Sequence, residues 1–189
     1  MLNYLFPQTI EVLKSKFNGE IKIVKLHNKI SVWVGGFQQS GPLVEKIWES
    51  GLAGFYPANV LILGLGCGSI VKFLPHSKIT GVEIDPVMIR LGRKYFHLDK
   101  VNIICGDALT LKFKETFDLI IVDLYKGGKM QKLIVPTDYL TKNGIIIYNQ
   151  STFGKDKVDL LSYLDKNPLV NVKEIKKFEY NKLIFCSKK

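Results

Sequence analysis

The residues of this chain best suited by type and spacing to do chemistry are Gly64, Gly66, Gly68, Glu83, Asp107 and Asp123. The glycines lie in Val60-Leu-Ile-Leu-Gly-Leu-Gly-Cys-Gly-Ser69, an apolar run that passes into a glycine-rich loop. A loop without side chains lets a strand turn tightly into a helix and lets a ligand lie against backbone and helix N-terminus. Glu83 follows Gly64 by 19 positions, close to the roughly 20-residue interval at which an acid reaches ribose hydroxyls in a βαβ unit. The spacing is G-x-G-x-G. A dinucleotide fingerprint would place its third glycine where this chain has Ser69, and a phosphate-cradling P-loop would need Lys followed by Ser or Thr after the glycines. Both are excluded, and a nucleoside half-site remains.

The elements that must position these residues follow from the hydrophobic pattern. Strands are predicted over residues 60–64, 79–83, 101–105, 117–122 and 144–149, with helices over 68–74, 86–96, about 130–141 and 155–165. Pro86 after Asp85 suits a first helical turn. Two apolar-rich stretches, 171–178 and 182–187, predict an antiparallel pair at the end of the sheet. Gly64, Glu83, Asp107 and Asp123 fall at carboxyl ends of successive strands, where ligands bind in such sheets. Before residue 55, Glu20 to Leu26 and Lys29 to Val34 alternate around His27-Asn28 as a hairpin. A loop, 35–41, then leads to a helix opened by Pro42 with Leu43, Val44 and Ile47 inward. The expectation is an α/β fold: a doubly wound, mostly parallel Rossmann-like sheet with an antiparallel C-terminal strand pair and a short N-terminal β-hairpin. Residues 1–54 form the hairpin-and-helix appendage and 55–189 one compact ligand-binding domain.

Composition bounds the partners. A chain of 189 residues with 47% hydrophobic and 23% charged residues has the make-up of one ordinary globular domain, able to bury about 70% of its unfolded surface. Apolar runs such as Val60 to Leu65 are strand-length, so no membrane span is predicted, and Met1 to Pro7 lacks the pattern of a signal peptide. Cys67, Cys105 and Cys186 read as reduced thiols, which points to the cytoplasm, and neither they nor His27, His76 and His97 have metal-ligand spacing. The net charge of +10 is spread along the chain without a basic, aromatic-interleaved motif for RNA.

With these residues in view, the chain resembles the class I S-adenosylmethionine-dependent methyltransferases, in particular the branch that includes spermidine synthase. The resemblance rests on Val60 to Gly68, on Val82-Glu-Ile-Asp-Pro-Val-Met-Ile followed by Gly92-Arg-Lys-Tyr-Phe, on Gly106-Asp-Ala and on Phe117-Asp-Leu-Ile-Ile-Val-Asp123. The N-terminal hairpin followed by Gly36-Phe37-Gln38-Gln39 adds to it. It implies a methyltransferase sheet binding S-adenosylmethionine, with S-adenosylhomocysteine as product and no metal. Gly64, Gly66 and Gly68 would carry the methionine-derived part, Glu83, with Ile84 beside it, the ribose, and Asp107 with Ala108 the adenine. Gln39 would touch the nucleoside end, and Asp123 would sit beside the sulfonium as the catalytic carboxylate, where it can attract the cationic donor, orient the acceptor nucleophile or remove its proton.

Departures from the branch bear on the acceptor. The polyamine-making enzymes carry a run resembling Asp-Ser-x-Asp-Pro after the fourth strand, whereas this chain has Asp123-Leu-Tyr-Lys-Gly-Gly-Lys129, followed by Lys132. Ammonium groups about 4 Å apart repel by a few kcal/mol at an effective dielectric near 20, which disfavours a polyamine. The family's acceptor-lining Tyr-His pair aligns with Trp48-Glu49, and Cys67 replaces its glycine-loop aspartate. The leading expectation is methyl transfer to a small, neutral or anionic acceptor, with Tyr125 and Lys126 as candidate acceptor contacts. Aminopropyl transfer from the decarboxylated donor and a non-catalytic nucleoside-binding module are the alternatives. Nucleic acid is not favoured, because the Asn/Asp-Pro-Pro-aromatic run that grips a flipped base is missing after Val122; a second copy of the chain is a candidate partner.

Overall fold

A computed structural model describes residues 6–126, 129–130, 134–152 and 159–189, without the side chains of Lys126, Lys129 and Met130. Its centre is a seven-stranded sheet. The strands β5 (Asn59–Leu63), β6 (Lys78–Glu83), β7 (Asn102–Cys105), β8 (Phe117–Val122) and β11 (Leu140–Ser151) pair in parallel in the order β7-β6-β5-β8-β11. Beyond β11 the sheet is extended by β13 (Asn181–Lys188) and then β12 (Val170–Lys177), each antiparallel to its neighbour.

The central strands are apolar along their length because both faces are covered. Val60 and Ile62 of β5 pack with Trp48 and Leu52 on one side, and Leu61 and Leu63 pack with Leu160 and Leu164 on the other. The first side is closed by α1 (Pro42–Gly51), the second by α3 (Leu160–Asp165). Between β6 and β7 lies α2 (Pro86–Tyr95), started by Pro86 and by the Asp85 carboxylate, which accepts the Val87 N–H at 2.9 Å.

The hairpin around His27 is present as β2 (Gly19–Leu26) and β3 (Lys29–Val34), but it belongs to a four-stranded antiparallel sheet with β1 (Gln8–Ser15) and β4 (Phe37–Ser40). Its inner residues Ile21, Ile23, Val32 and Val34 are buried against Cys67, Met88 and Leu91, so it packs on α2 and the glycine loop.

Several predicted elements differ. The stretch 68–74 holds only a 3-10 turn, Val71–Phe73, because the chain reaches β6 a few residues later. In place of a helix over 130–141 there is a two-residue ladder, β9 (Tyr125–Lys126) with β10 (Lys129–Met130), then a 3-10 turn, Thr137–Tyr139, and the start of β11. Pro136 cannot sit inside a helix, which separates the two halves of that apolar pattern. Residues 131–133 of that stretch and 155–158 of the predicted 155–165 helix lie outside the described residues; the remainder of the latter is α3. The predicted loop 35–41 contains β4, and Leu43 is 53% exposed, since α1 turns Trp48 and Gly51 inward, with Val44 and Ile47 partly buried.

Candidate functional site

The glycine loop forms because its backbone must take conformations that side chains resist. Gly64, Gly66 and Gly68 have φ of 88°, 58° and 79°. Each has a separate neighbourhood. A Cβ on Gly64 would run into the Asp123 backbone carbonyl and one on Gly68 into the Leu98 side chain, whereas one on Gly66 would find nothing nearer than Ser40 Oγ at 3.8 Å. Gly66 is thus the point at which the backbone is open to a ligand.

Glu83 locks this loop. One carboxylate oxygen accepts the Gly66 N–H at 2.7 Å and the other accepts the Asp85 N–H at 2.9 Å. The group is 8% exposed, and burial pushes its pKa above the usual carboxylate range against those backbone donors, with nearby Asp85 adding to the rise. The Glu83 backbone carbonyl accepts the Gly106 N–H at 3.0 Å, which sets the next strand end and brings Asp107 and Ala108 alongside. The Asp107 carboxylate accepts the Leu109 N–H at 2.9 Å and remains exposed.

Asp123 closes the opposite side. Its N–H donates to the Leu63 carbonyl at 2.9 Å, and its Oδ1 accepts from Asn149 Nδ2 at 3.0 Å. Burial is the main cause of a pKa pushed up to about 7; the Asn149 N–H opposes the rise and the charge of Glu83 adds to it. The Tyr125 hydroxyl reaches the Asn149 backbone carbonyl at 3.1 Å and fixes the end of β11.

These groups surround one cavity of about 220 Å³ at the carboxyl ends of β5, β6, β7 and β8. Of the residues the sequence singled out, Gln39, Gly64, Gly66, Glu83, Ile84, Asp107, Ala108, Asp123 and Tyr125 line it. Gly68 does not; it shapes the turn against Leu98. The Lys126 and Lys129 side chains and all of Lys132 lie outside the described residues.

The sequence did not indicate Asn18, Ser40 or Ser69 as walls of this cavity, whereas Trp48, which aligns with the family's acceptor-lining pair, does line it. Asn18, Ser40 and Ser69 belong to a cross-link between the small sheet and the large one, while Trp48 is an inward residue of α1. Ser40 Oγ accepts the Cys67 N–H at 3.3 Å, and Ser69 Oγ accepts the Gly41 N–H at 2.8 Å. Asp85 Oδ2 accepts from Ser15 Oγ and from Asn18 Nδ2, the latter at 2.7 Å. The only sequence signal was that Ser69 adjoins the glycine loop. Among the described residues no group of three or more His, Cys, Asp or Glu is placed to hold a metal ion, and no helix is long and apolar enough to cross a membrane.

Residues 60–130, from β5 through β10, match the family described as a methyltransferase domain. Over that stretch the chain is similar to methyltransferase domains. It is 28% identical over 117 residues to the malonyl-[acyl-carrier protein] O-methyltransferase of Priestia megaterium, covering 59% of this chain and 39% of that protein. It is 26% identical over 121 residues to the polyamine aminopropyltransferase of Vibrio vulnificus, covering 54% and 40%. The chain spans less than half the length of either relative. In fold it resembles the crystal structure of a probable spermidine synthase from Corynebacterium glutamicum, with a TM-score of 0.62 and 18% identity, over 96% of this chain and 79% of that one.

Proposed function

We propose that the protein is an S-adenosylmethionine-dependent methyltransferase acting on a small, neutral or anionic acceptor. The observation that carries this reading is the joining of the Gly64–Gly66 backbone, Glu83, Asp107 and Asp123 around one cavity. The chemistry of that donor set fits the cofactor: open backbone at Gly66, a carboxylate for a pair of hydroxyls, an exposed carboxylate beside a backbone turn for an amino group, and a carboxylate for a cation. When bound, the cofactor supplies an electrophilic methyl group on a sulfonium. Glu83 holds the ribose, with Ile84 against the nucleoside; Asp107 and Ala108 meet the adenine edge, and Gln39 closes the nucleoside end. Asp123 attracts the cationic centre and accepts the proton of a neutral acceptor nucleophile. Most of the acceleration comes from holding the two reactants in line.

Calorimetry with S-adenosylmethionine and S-adenosylhomocysteine tests the reading, and no binding of either sinks it. Aminopropyl transfer is the second reading, supported by the likeness to a polyamine aminopropyltransferase and opposed by Lys126 and Trp48. A preference for decarboxylated over carboxylated donor in the same titration would favour it. The cytoplasmic setting expected from the free thiols belongs to the same proposal.

A further inference from the structure

The reactive end of the cavity is held by a chain of amides that reaches into the C-terminal hairpin. Asn149, on β11, donates from Nδ2 to Asp123 Oδ1 at 3.0 Å, and Asn149 Oδ1 in turn accepts from Asn181 Nδ2 at 2.8 Å. Asn181 is the first residue of β13, paired with Ser151, and its backbone carbonyl accepts the Phe178 N–H at 2.7 Å, so the hairpin fixes its position. An ionised carboxylate only accepts hydrogen bonds, and a primary amide presents an acceptor on one side and donors on the other. The orientation of the Asn149 amide therefore decides whether Asp123 meets a donor or a repelling carbonyl.

We infer that Asn181 is a positioning residue for the reaction centre: by donating to the Asn149 carbonyl oxygen it turns the Asn149 N–H toward Asp123. Two independent contacts restrict Asn149. Its side chain is oriented by Asn181, and its backbone carbonyl is held by the Tyr125 hydroxyl. Among the described residues, the other groups around Asp123 do not supply this donor. Gly64 brings backbone against the Asp123 carbonyl, and Glu83 at the end of β6 brings a negative charge. The Asn149 N–H offsets that charge and the burial, which keeps the carboxylate able to ionise near neutral pH. Asn181 acts on Asp123 through Asn149: its side-chain amide donates to Asn149, and it is not among the residues that line the cavity.

This inference rests on Asp123 being the reacting carboxylate, but its test does not need turnover. The full chain is labelled with carboxyl-¹³C aspartate, the Asp123 signal is assigned by its loss in Asp123→Asn, and its titration is followed in the absence of ligand. Asn149→Ala removes the donor and raises the Asp123 midpoint. Asn181→Ala raises it as well, by about half a unit. In the Asn149→Ala background Asn181→Ala adds no shift, as a residue acting through its neighbour requires. An unshifted midpoint in Asn181→Ala, or an equal shift in both backgrounds, overturns the inference. Asn181→Leu, of similar volume and without a donor, replaces the alanine variant if that one does not fold. Calorimetry with S-adenosylhomocysteine on the same samples separates the two claims. Absent binding with the coupled titration intact removes the proposed function alone, whereas binding with an uncoupled titration removes the role of Asn181 alone.

Discussion

Glu83 and Gly66 are joined by a 2.7 Å hydrogen bond from the glycine-loop backbone to the carboxylate, so the acid proposed to hold the ribose also holds the loop. Structure and binding are coupled at that contact. Glu83→Gln keeps the volume but turns an amide NH₂ toward one of two N–H donors, leaving that donor unpaired. Stability should fall by about 1–3 kcal/mol in urea unfolding. S-adenosylhomocysteine affinity should fall by about 10- to 100-fold, the loss of a hydrogen bond to a charged acceptor. An unchanged affinity would remove Glu83 from the site.

The two neighbouring glycines should separate packing from binding. Gly64→Ala forces a Cβ into the Asp123 carbonyl at a φ of 88°, so it should lower the melting temperature severely or prevent folding. Gly66→Ala has open space around its Cβ and costs mainly the conformational penalty, about 1–2 kcal/mol. That variant should fold, yet bind S-adenosylhomocysteine poorly, because the methyl group occupies the place where ligand meets backbone. Melting curves and calorimetry on both variants check the contrast.

Much of this site was legible because a parallel sheet buried on both faces writes itself as continuous apolar runs. Leu61, Ile62, Ile120 and Ile121 are each 1% exposed or less, and the chemistry-bearing residues lie where those runs stop. The first strand was not legible for the opposite reason. On β1 the apolar Ile10 and Val12 are exposed, while the half-buried Glu11 and Ser15, which bond Lys94 and Asp85, share the inner face with Leu13, which blurs the usual alternation. The polar wiring was hidden as well. Ser40 meets Cys67 across 27 positions and Asn149 meets Asn181 across 32, and no local pattern records which distant amide or hydroxyl a loop will face.

Asp85 offers a test of whether the small sheet is part of the site. Its carboxylate caps α2 through Val87 and receives Ser15 and Asn18 from the β1–β2 turn. Asp85→Ala loses the cap, worth about 1 kcal/mol, and leaves the turn without its anchor. Hydrogen exchange of residues 15–18 should accelerate well before that of β5 and β8, with a parallel loss of S-adenosylhomocysteine affinity. Uniform acceleration across both sheets would mean that the cap, rather than the latch, is what Asp85 contributes.

The pH dependence follows from Asp123. Its carboxyl titrates near 7 in the folded protein, against about 4 for an unfolded aspartate. Between those values the folded state retains a proton that the unfolded chain has released, so the stabilisation is complete below about pH 4 and is lost as pH rises through 7. Glu83, also raised, acts in the same direction. Asp123→Asn cannot ionise, so urea unfolding at pH 5 and pH 8 should show a smaller loss of stability in the variant than in the wild type. Ligand affinity should move the other way. A sulfonium favours the ionised carboxylate, and a neutral thioether does not. The affinity of S-adenosylmethionine relative to S-adenosylhomocysteine should therefore climb as pH passes 7 in the wild type and stay level in Asp123→Asn. A ratio with no pH dependence in the wild type would place the cationic centre away from Asp123.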